Sequence, residues 1–360
     1  MPSLTPLRCN RISHSLLQLS PPIRLAALTP QPHLLRHTSS TSDPKSKEKQ
    51  HQIAIIGSGT IGLSFTALHL VQNPSSTISI YDSRPDLYDY ITAHLPHYIS
   101  PAECSEQSYR DRIILAPTLA KAVEFADIVQ EQGPETEEWK TKLWPEVERH
   151  ARSDALLWSS TSGITATVQS KGMKDKSRLM VVHPYNPPHI MPLLEVVPGE
   201  KTSQAVINRT VKYWRSLGRT PVVIKKECTG FVANRLAFAL FREACSLVAQ
   251  DVVSVKDLDA IVTASMGPRW SVAGPFKSYA AGGGDEGMGG FMGKIGGTVQ
   301  NCWEASERDV EKHKINAKKG EKWEDKMIKQ CDEAYGHVDT AERDARTRLV
   351  LQAVRDSAPK

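Results

Sequence analysis

The run Ile53-Ala54-Ile55-Ile56-Gly57-Ser58-Gly59-Thr60-Ile61-Gly62 decides how this chain folds. Its four apolar residues suit a buried parallel strand. The strand runs straight into a G-x-G-x-x-G turn. Leu63, Ala67, Leu68 and Leu70 then give a helix an apolar side, and Asn73-Pro74 stops it. Each glycine has its own physical reason. Gly57 permits the tight turn, Gly59 lets the backbone approach a pyrophosphate, and Gly62 lets the helix pack close to the strand. The first N–H groups of the helix, those of Thr60 and Ile61 among them, would face the phosphates, where the helix dipole also favours an anion.

Working outward, Thr77-Ile78-Ser79-Ile80-Tyr81-Asp82 alternates as a second strand and ends on an acid 20 residues after Gly62. A carboxylate there accepts hydrogen bonds from the adenosine ribose hydroxyls and repels a 2′-phosphate, which selects NAD over NADP. Arg84, two residues on, leaves NADP open. Further strands are expected at Ile113–Leu115, Ile128–Gln130, Ala155–Trp158 and Leu179–Val182, with a helix over Glu135–Arg149. This alternation predicts an α/β fold with a doubly wound parallel sheet. Ligands of such sheets bind beyond the carboxyl ends of the strands, here Gln130-Glu131, Ser159–Gly163 and His183.

Charge bounds the partners. Residues 1–50 carry seven Lys and Arg against Asp43 and Glu48, which accounts for the whole net charge of +5. The body is neutral, so a nucleic-acid partner is not indicated, and no apolar run is long enough to span a membrane. The acid-free, Arg- and Ser-rich stretch 1–42 has the composition of a mitochondrial transit peptide, which predicts the mitochondrial matrix; a leader without an address, hence a cytoplasmic protein, is the alternative. None of the six cysteines forms a C-x-x-C pair, so no zinc site is expected and the cofactor set contains no metal.

Three polar residues stand out near strand ends. Ser162 lies in Ser159-Ser160-Thr161-Ser162-Gly163, His183 opens His183-Pro184-Tyr185-Asn186-Pro187-Pro188, and Glu195 interrupts Leu193-Leu194-Glu195-Val196-Val197-Pro198. A carboxylate amid Leu and Val needs a partner if buried, and a histidine is the natural one. The acid would fix the histidine tautomer and stabilise the imidazolium formed on proton uptake. His189 is read as a surface loop residue.

In order and spacing, Ser162, His183 and Glu195 resemble the 3-hydroxyacyl-CoA dehydrogenase family. The family's Q-E-x-x-P-E stretch looks like Gln130-Glu131-Gln132-Gly133-Pro134-Glu135, and its G-F-x-x-N-R motif like Gly230-Phe231-Val232-Ala233-Asn234-Arg235. The resemblance covers about residues 52–305. It implies a Rossmann-type NAD-binding domain (51–228) after a leader (1–50), then an all-helical dimerisation and substrate domain (229–305) and a charged helical tail (306–360). It implies that His183 accepts the proton of a 3-hydroxyl while hydride passes to NAD, with Glu195 orienting it. Ser162 and Asn234 would bind the reacting oxygen, Glu131 and Glu135 would lie near the nicotinamide ribose, and a homodimer is expected.

Ser160-Thr161-Ser162-Gly163, His183-Pro184-Tyr185-Asn186 and Met266-Gly267-Pro268-Arg269-Trp270 resemble the branch that contains lambda-crystallin (L-gulonate 3-dehydrogenase) and L-carnitine dehydrogenase. A guanidinium grips a free carboxylate with two parallel hydrogen bonds, so Arg269 is a candidate for substrate binding, with a surface arginine as the plain alternative. A free 3-hydroxy acid is slightly favoured. The alternatives are an L-3-hydroxyacyl-CoA in fatty-acid metabolism and a non-catalytic, crystallin-like NAD-binding protein. Gly282–Gly297, with nine glycines, reads as a mobile loop near the active-site mouth or a linker.

Overall fold

A computed structural model describes residues 50–100, 102–310 and 322–357. The leader read from residues 1–42 lies outside the described residues. Eight strands form one sheet in the order β3-β2-β1-β4-β5-β6-β7-β8. They are β1 (Gln52–Ile56), β2 (Thr77–Tyr81), β3 (Ile113–Leu115), β4 (Ile128–Glu131), β5 (Leu156–Ser159), β6 (Leu179–Pro184), β7 (Leu193–Pro198) and β8 (Thr220–Val223). The order reverses between β2-β1 and β4, the switch point at which such sheets open a crevice.

Alternation sends neighbouring residues of each strand to opposite faces. Ile53 and Ile55 join Phe65, Trp158 and Trp214 in one buried cluster. Ala54 and Ile56 join Trp144, Leu157 and Val181 in another on the opposite face. The helix Thr60–Gln72 packs nine consecutive buried residues, Gly62 to Leu70, against the sheet. The expected helix over 135–149 forms as Glu137–His150, with Thr136 accepting a hydrogen bond from the Trp139 N–H as its N-cap.

The sheet is mostly parallel, but β7 runs antiparallel to β6 while β8 pairs parallel with β7. The connection from β6 to β7 is too short for a crossover helix, so the chain turns straight back. The hairpin places His183 directly opposite Glu195.

Helices Ala233–Ala249, Val255–Ala264, Met266–Val272, Pro275–Gly282 and Gly287–Val310 follow the sheet. The glycine-rich stretch is therefore not a loop. Its glycines let two helices touch, since a Cβ at Gly283 would stand 1.6 Å from the Gly287 carbonyl oxygen and one at Gly290 would stand 2.5 Å from the Gly283 oxygen. Tyr279 and Phe291 pack across that contact with ring centres 4.9 Å apart. A further helix, Thr340–Ser357, completes the described chain.

Candidate active site

The turn after β1 has the shape its glycines predicted. Gly57 has φ +92°, and a Cβ there would meet the Gln132 carbonyl oxygen at 2.9 Å. Gly62 packs against this turn, since a Cβ on it would come within 2.0 Å of the Gly57 oxygen. A Cβ on Gly59 would meet nothing within 4 Å. Gly59 is also the N-cap of helix Thr60–Gln72, which has no side-chain cap and no acid in its first turn. The N–H groups at Thr60, Ile61 and Gly62 thus start a helix whose positive end is left for a ligand. A cavity of about 450 Å³ opens there, lined by Gly57, Gly59, Asp82, Gly133 and Trp139 among others.

Asp82 ends β2 at this cavity. Its Oδ2 accepts from the Ser58 N–H and Oγ at 2.7 Å each, and its Oδ1 from the Arg84 N–H at 3.0 Å. Burial pushes its pKa up, but the hydrogen bonds from Ser58 and Arg84 outweigh burial and leave the carboxyl below its ordinary value. Asp82 is thus an ionised acceptor of the kind a ribose diol needs. Arg84 stacks on the Tyr90 ring at 3.5 Å and stands 3.7 Å from Asp82. These residues fit an adenosine with its pyrophosphate at Gly59.

The two acids of the Gln130–Glu135 stretch part company. Glu131 is fully buried. It accepts from Lys140 Nζ at 2.7 and 2.9 Å, from the Gly133 N–H at 2.6 Å and from Ser159 Oγ at 2.7 Å. It is the anchor that shapes the loop after β4. Glu135 is exposed at the edge of the site, 3.4 Å from Lys140. It accepts from the Ser162 N–H at 2.9 Å and from Ser162 Oγ at 3.3 Å. Burial raises its pKa, but hydrogen bonds from Thr161 and Ser162 and the Lys140 charge bring it below the ordinary range.

His183 and Glu195 form a buried pair, Nδ1 to Oε2, at 2.8 Å. The other carboxylate oxygen accepts from the Val232 and Ala233 N–H groups at 2.9 and 3.0 Å, the opening of helix Ala233–Ala249. Burial pushes Glu195 up in pKa, yet the bonds from His183, Ala233 and Val232 bring it below its ordinary value. With a carboxylate at Nδ1, the proton sits there and the Nε2 lone pair is the basic one. Gly230 and Phe231 both have positive φ, +73° and +52°, and this tight turn delivers the helix start to Glu195. Phe231 is fully buried, with its ring 5.2 Å from that of His183.

His183, Ser162 and Asn234 line one cleft of about 670 Å³, together with Tyr185, Phe238, Arg343, Asp344 and Thr347. Three of these come from the C-terminal helix Thr340–Ser357, which sequence alone presents only as a charged tail. Arg269 is exposed on helix Met266–Val272 and does not line the cleft. The guanidinium that the cleft contains belongs to Arg343, which pairs with Asp344 at 2.6 Å. His189 is half-buried, not a surface residue, because Ser64 Oγ stands 2.7 Å from its Nδ1. Lys140 carries no local signal that would have singled it out, and Phe231 stands out only as part of the Gly230–Arg235 motif.

A phosphate-accepting helix start, an ionised acid at the end of β2 and a carboxylate-oriented histidine in the adjoining cleft define a nicotinamide-dinucleotide oxidoreductase. The family model of the 3-hydroxyacyl-CoA dehydrogenase NAD-binding domain matches residues 52–228, and that of its C-terminal domain matches residues 230–326. The chain belongs to the 3-hydroxyacyl-CoA dehydrogenase family and is an NAD-dependent dehydrogenase acting on CH–OH groups. It is 32% identical over 324 residues to an L-carnitine dehydrogenase of Streptomyces coelicolor, covering 88% of this chain and 98% of that one. It is 34% identical over 273 residues to a 3-hydroxyacyl-CoA dehydrogenase of Gibberella moniliformis, covering 73% and 82%. Among solved structures, an NAD⁺-dependent 5-formyl-3-hydroxy-2-methylpyridine 4-carboxylic acid 5-dehydrogenase superposes with a TM-score of 0.65 at 26% identity, covering 85% of this chain and 99% of that one.

Proposed function

We propose that this dehydrogenase oxidises the 3-hydroxyl of a free 3-hydroxy acid to the ketone, with His183 as the proton acceptor. The observation that carries the reading is the buried His183–Glu195 pair, whose carboxylate is held on its far side by two backbone N–H groups. That arrangement leaves Nε2 to take the hydroxyl proton, and Glu195 stabilises the imidazolium that results. Bound NAD supplies the hydride acceptor for the hydrogen on the same carbon. Ser162 and Asn234 share the cleft with His183 and would hold the reacting oxygen. Arg343 replaces Arg269 as the group that would grip the substrate carboxylate, since it lines the cleft. Support for a free acid also comes from the relative named for L-carnitine, which is itself a 3-hydroxy acid.

A 3-hydroxyacyl-CoA is the second reading, favoured by the Gibberella relative's name. The test is NADH formation at 340 nm from L-carnitine, L-gulonate and L-3-hydroxybutyryl-CoA, with His183→Ala as control. Turnover of a free acid, lost in the variant, is expected. Turnover of the thioester alone would overturn the free-acid reading, and full activity in His183→Ala would overturn the assignment of the base.

The enzyme acts as a homodimer in this reading, because Leu236, Phe241 and Phe276 are exposed on its helical part at 62%, 49% and 82%. Sedimentation would give a monomer if that is wrong. The acid-free leader would direct import to mitochondria, and residues 1–50 fused to a fluorescent reporter should then leave the cytosol.

A further inference from the structure

A second cavity, of about 510 Å³, lies between the C-terminal helix and the Gly218-Arg219 turn that precedes β8. Arg219, Arg348 and Arg355 line it, with Glu103 as the one carboxylate among its lining residues. Arg348, Gln352 and Arg355 stand at i, i+4 and i+7, so one helix face presents them together. Arg355 donates to Gln352 Oε1 at 2.7 Å, and Gln352 in turn donates to Asp356 at 2.7 Å. Arg219 has a buried Nε with no hydrogen-bond partner among the described residues.

We propose that this cavity is a binding site for a phosphate group carried by a small molecule. Three guanidinium groups against one carboxylate leave about two positive charges over, which matches a phosphate dianion, and the planar fork of arginine suits its oxygens. The mutual repulsion of the arginines also bears on their neighbours. Burial, then the charges of Arg355 and Arg348, pull the Arg219 pKa down to about 10 despite Glu103. Burial and the Arg348 charge, against an opposing pull from Asp344, hold His189 at about 4, with Arg219 adding to the depression. A bound dianion would offset this repulsion and give the orphan Nε an acceptor.

The site adjoins the catalytic cleft. Thr347 lines the cleft and Arg348 lines the cavity; Tyr185 to Pro187 line the cleft, and His189, Ile190 and Pro192 the cavity. The phosphate could therefore belong to the arm of a substrate whose other end reaches His183, or to a separate phosphate ester. The proposal does not depend on which acid the enzyme oxidises.

The test is calorimetric titration of the NAD-saturated enzyme with inorganic pyrophosphate at fixed ionic strength, so that the dinucleotide site is already filled. Saturable one-site binding is expected, weakened about tenfold or more in Arg348→Gln and again in Arg355→Gln. Circular dichroism and NAD affinity should match the parent protein in both variants. No saturable binding, or binding that both variants leave unchanged, overturns the proposal. Displacement of pyrophosphate by coenzyme A upholds the site and assigns it to a substrate arm. Pyrophosphate binding that coenzyme A does not displace upholds it as a site for a separate phosphate ester.

Discussion

Glu195→Gln changes one atom in the centre of the site, and the surrounding hydrogen bonds dictate the result. Glu195 accepts three bonds, one from His183 at Oε2 and two from the Val232 and Ala233 N–H groups at Oε1. A glutamine keeps one acceptor oxygen. With that oxygen toward the two N–H groups, both donors stay satisfied and the amide nitrogen faces His183. With the oxygen reversed, the amide nitrogen opposes two backbone donors. The first orientation leaves fewer buried donors unpaired, so it prevails. His183 Nδ1 must then accept, its proton moves to Nε2, and the base is lost. Losing a charge-assisted bond alone costs about 1.5–3 kcal/mol, or roughly 10- to 150-fold in rate. Losing the general base as well carries the fall in kcat/KM to roughly 10²–10⁴-fold. The assay is NADH formation under saturating NAD, beside NAD affinity measured by fluorescence quenching, which should not move. A Glu195→Gln enzyme with parental kcat would refute the tautomer argument, because the one orientation of glutamine that keeps Nε2 basic leaves the Val232 and Ala233 N–H groups facing an amide nitrogen.

Gly59→Ala and Gly62→Ala should separate binding from folding. The first adds a Cβ into open space, so the melting temperature should hold while NAD affinity falls; the second collides with the Gly57 oxygen at 2.0 Å, so both should fall. Lys140→Met leaves Glu131 in the interior without its cation, which should cost about 3–5 kcal/mol in urea unfolding, and adding Glu131→Gln should recover part of it. Stability should also drop in mild acid. Burial is the chief reason His69 is held at about 4 against its ordinary 6.5, with its Gln130 hydrogen bond opposing. Because the folded pKa is the lower one, the unfolded chain takes up the proton first. Stability is full above pH 6.5 and falls as pH drops toward 4, by about 2 kcal/mol at pH 5. Urea midpoints at pH 7 and 5 should show the loss, and His69→Gln should remove the share due to His69 while leaving that of His189, which is also held at about 4.

The sheet was legible where strand identity is a local property. The runs at Ile53, Thr77, Ile113, Ile128, Leu156 and Leu179 all form strands. Direction was not legible at β7, because a run buried on both faces has the same composition whether its neighbour is parallel or antiparallel. β8 carries Pro221 and the exposed Val222 and Val223, an edge strand with little apolar signal. Glycine misled at 282–297. Nine glycines read as flexibility, yet their missing side chains serve close helix packing, and which of the two applies depends on what lies opposite.

The site shows the same division. His183 and Glu195 were readable because a lone acid in an apolar strand demands a partner, and the hairpin register supplies it. The Gly230–Arg235 motif was read for Asn234 alone, but its geometry does three things at once. The positive-φ turn at Gly230 and Phe231 starts the helix, Phe231 packs on the His183 ring, and the Val232 and Ala233 N–H groups hold Glu195. The His183–Glu195 pair is therefore held by the sheet from one side and by the helical region from the other. Neither part alone satisfies Glu195: without the helix start its Oε1 would be a buried, unpaired oxygen in the interior. A carboxylate bound only to His183 would be harder to keep ionised, and the histidine tautomer would be correspondingly less fixed. In the proposed mechanism, competence is thus tied to the docking of helix Ala233–Ala249 on the hairpin, which gives a motif outside the sheet, with Arg235 as its one charged residue, a part in holding the proposed base.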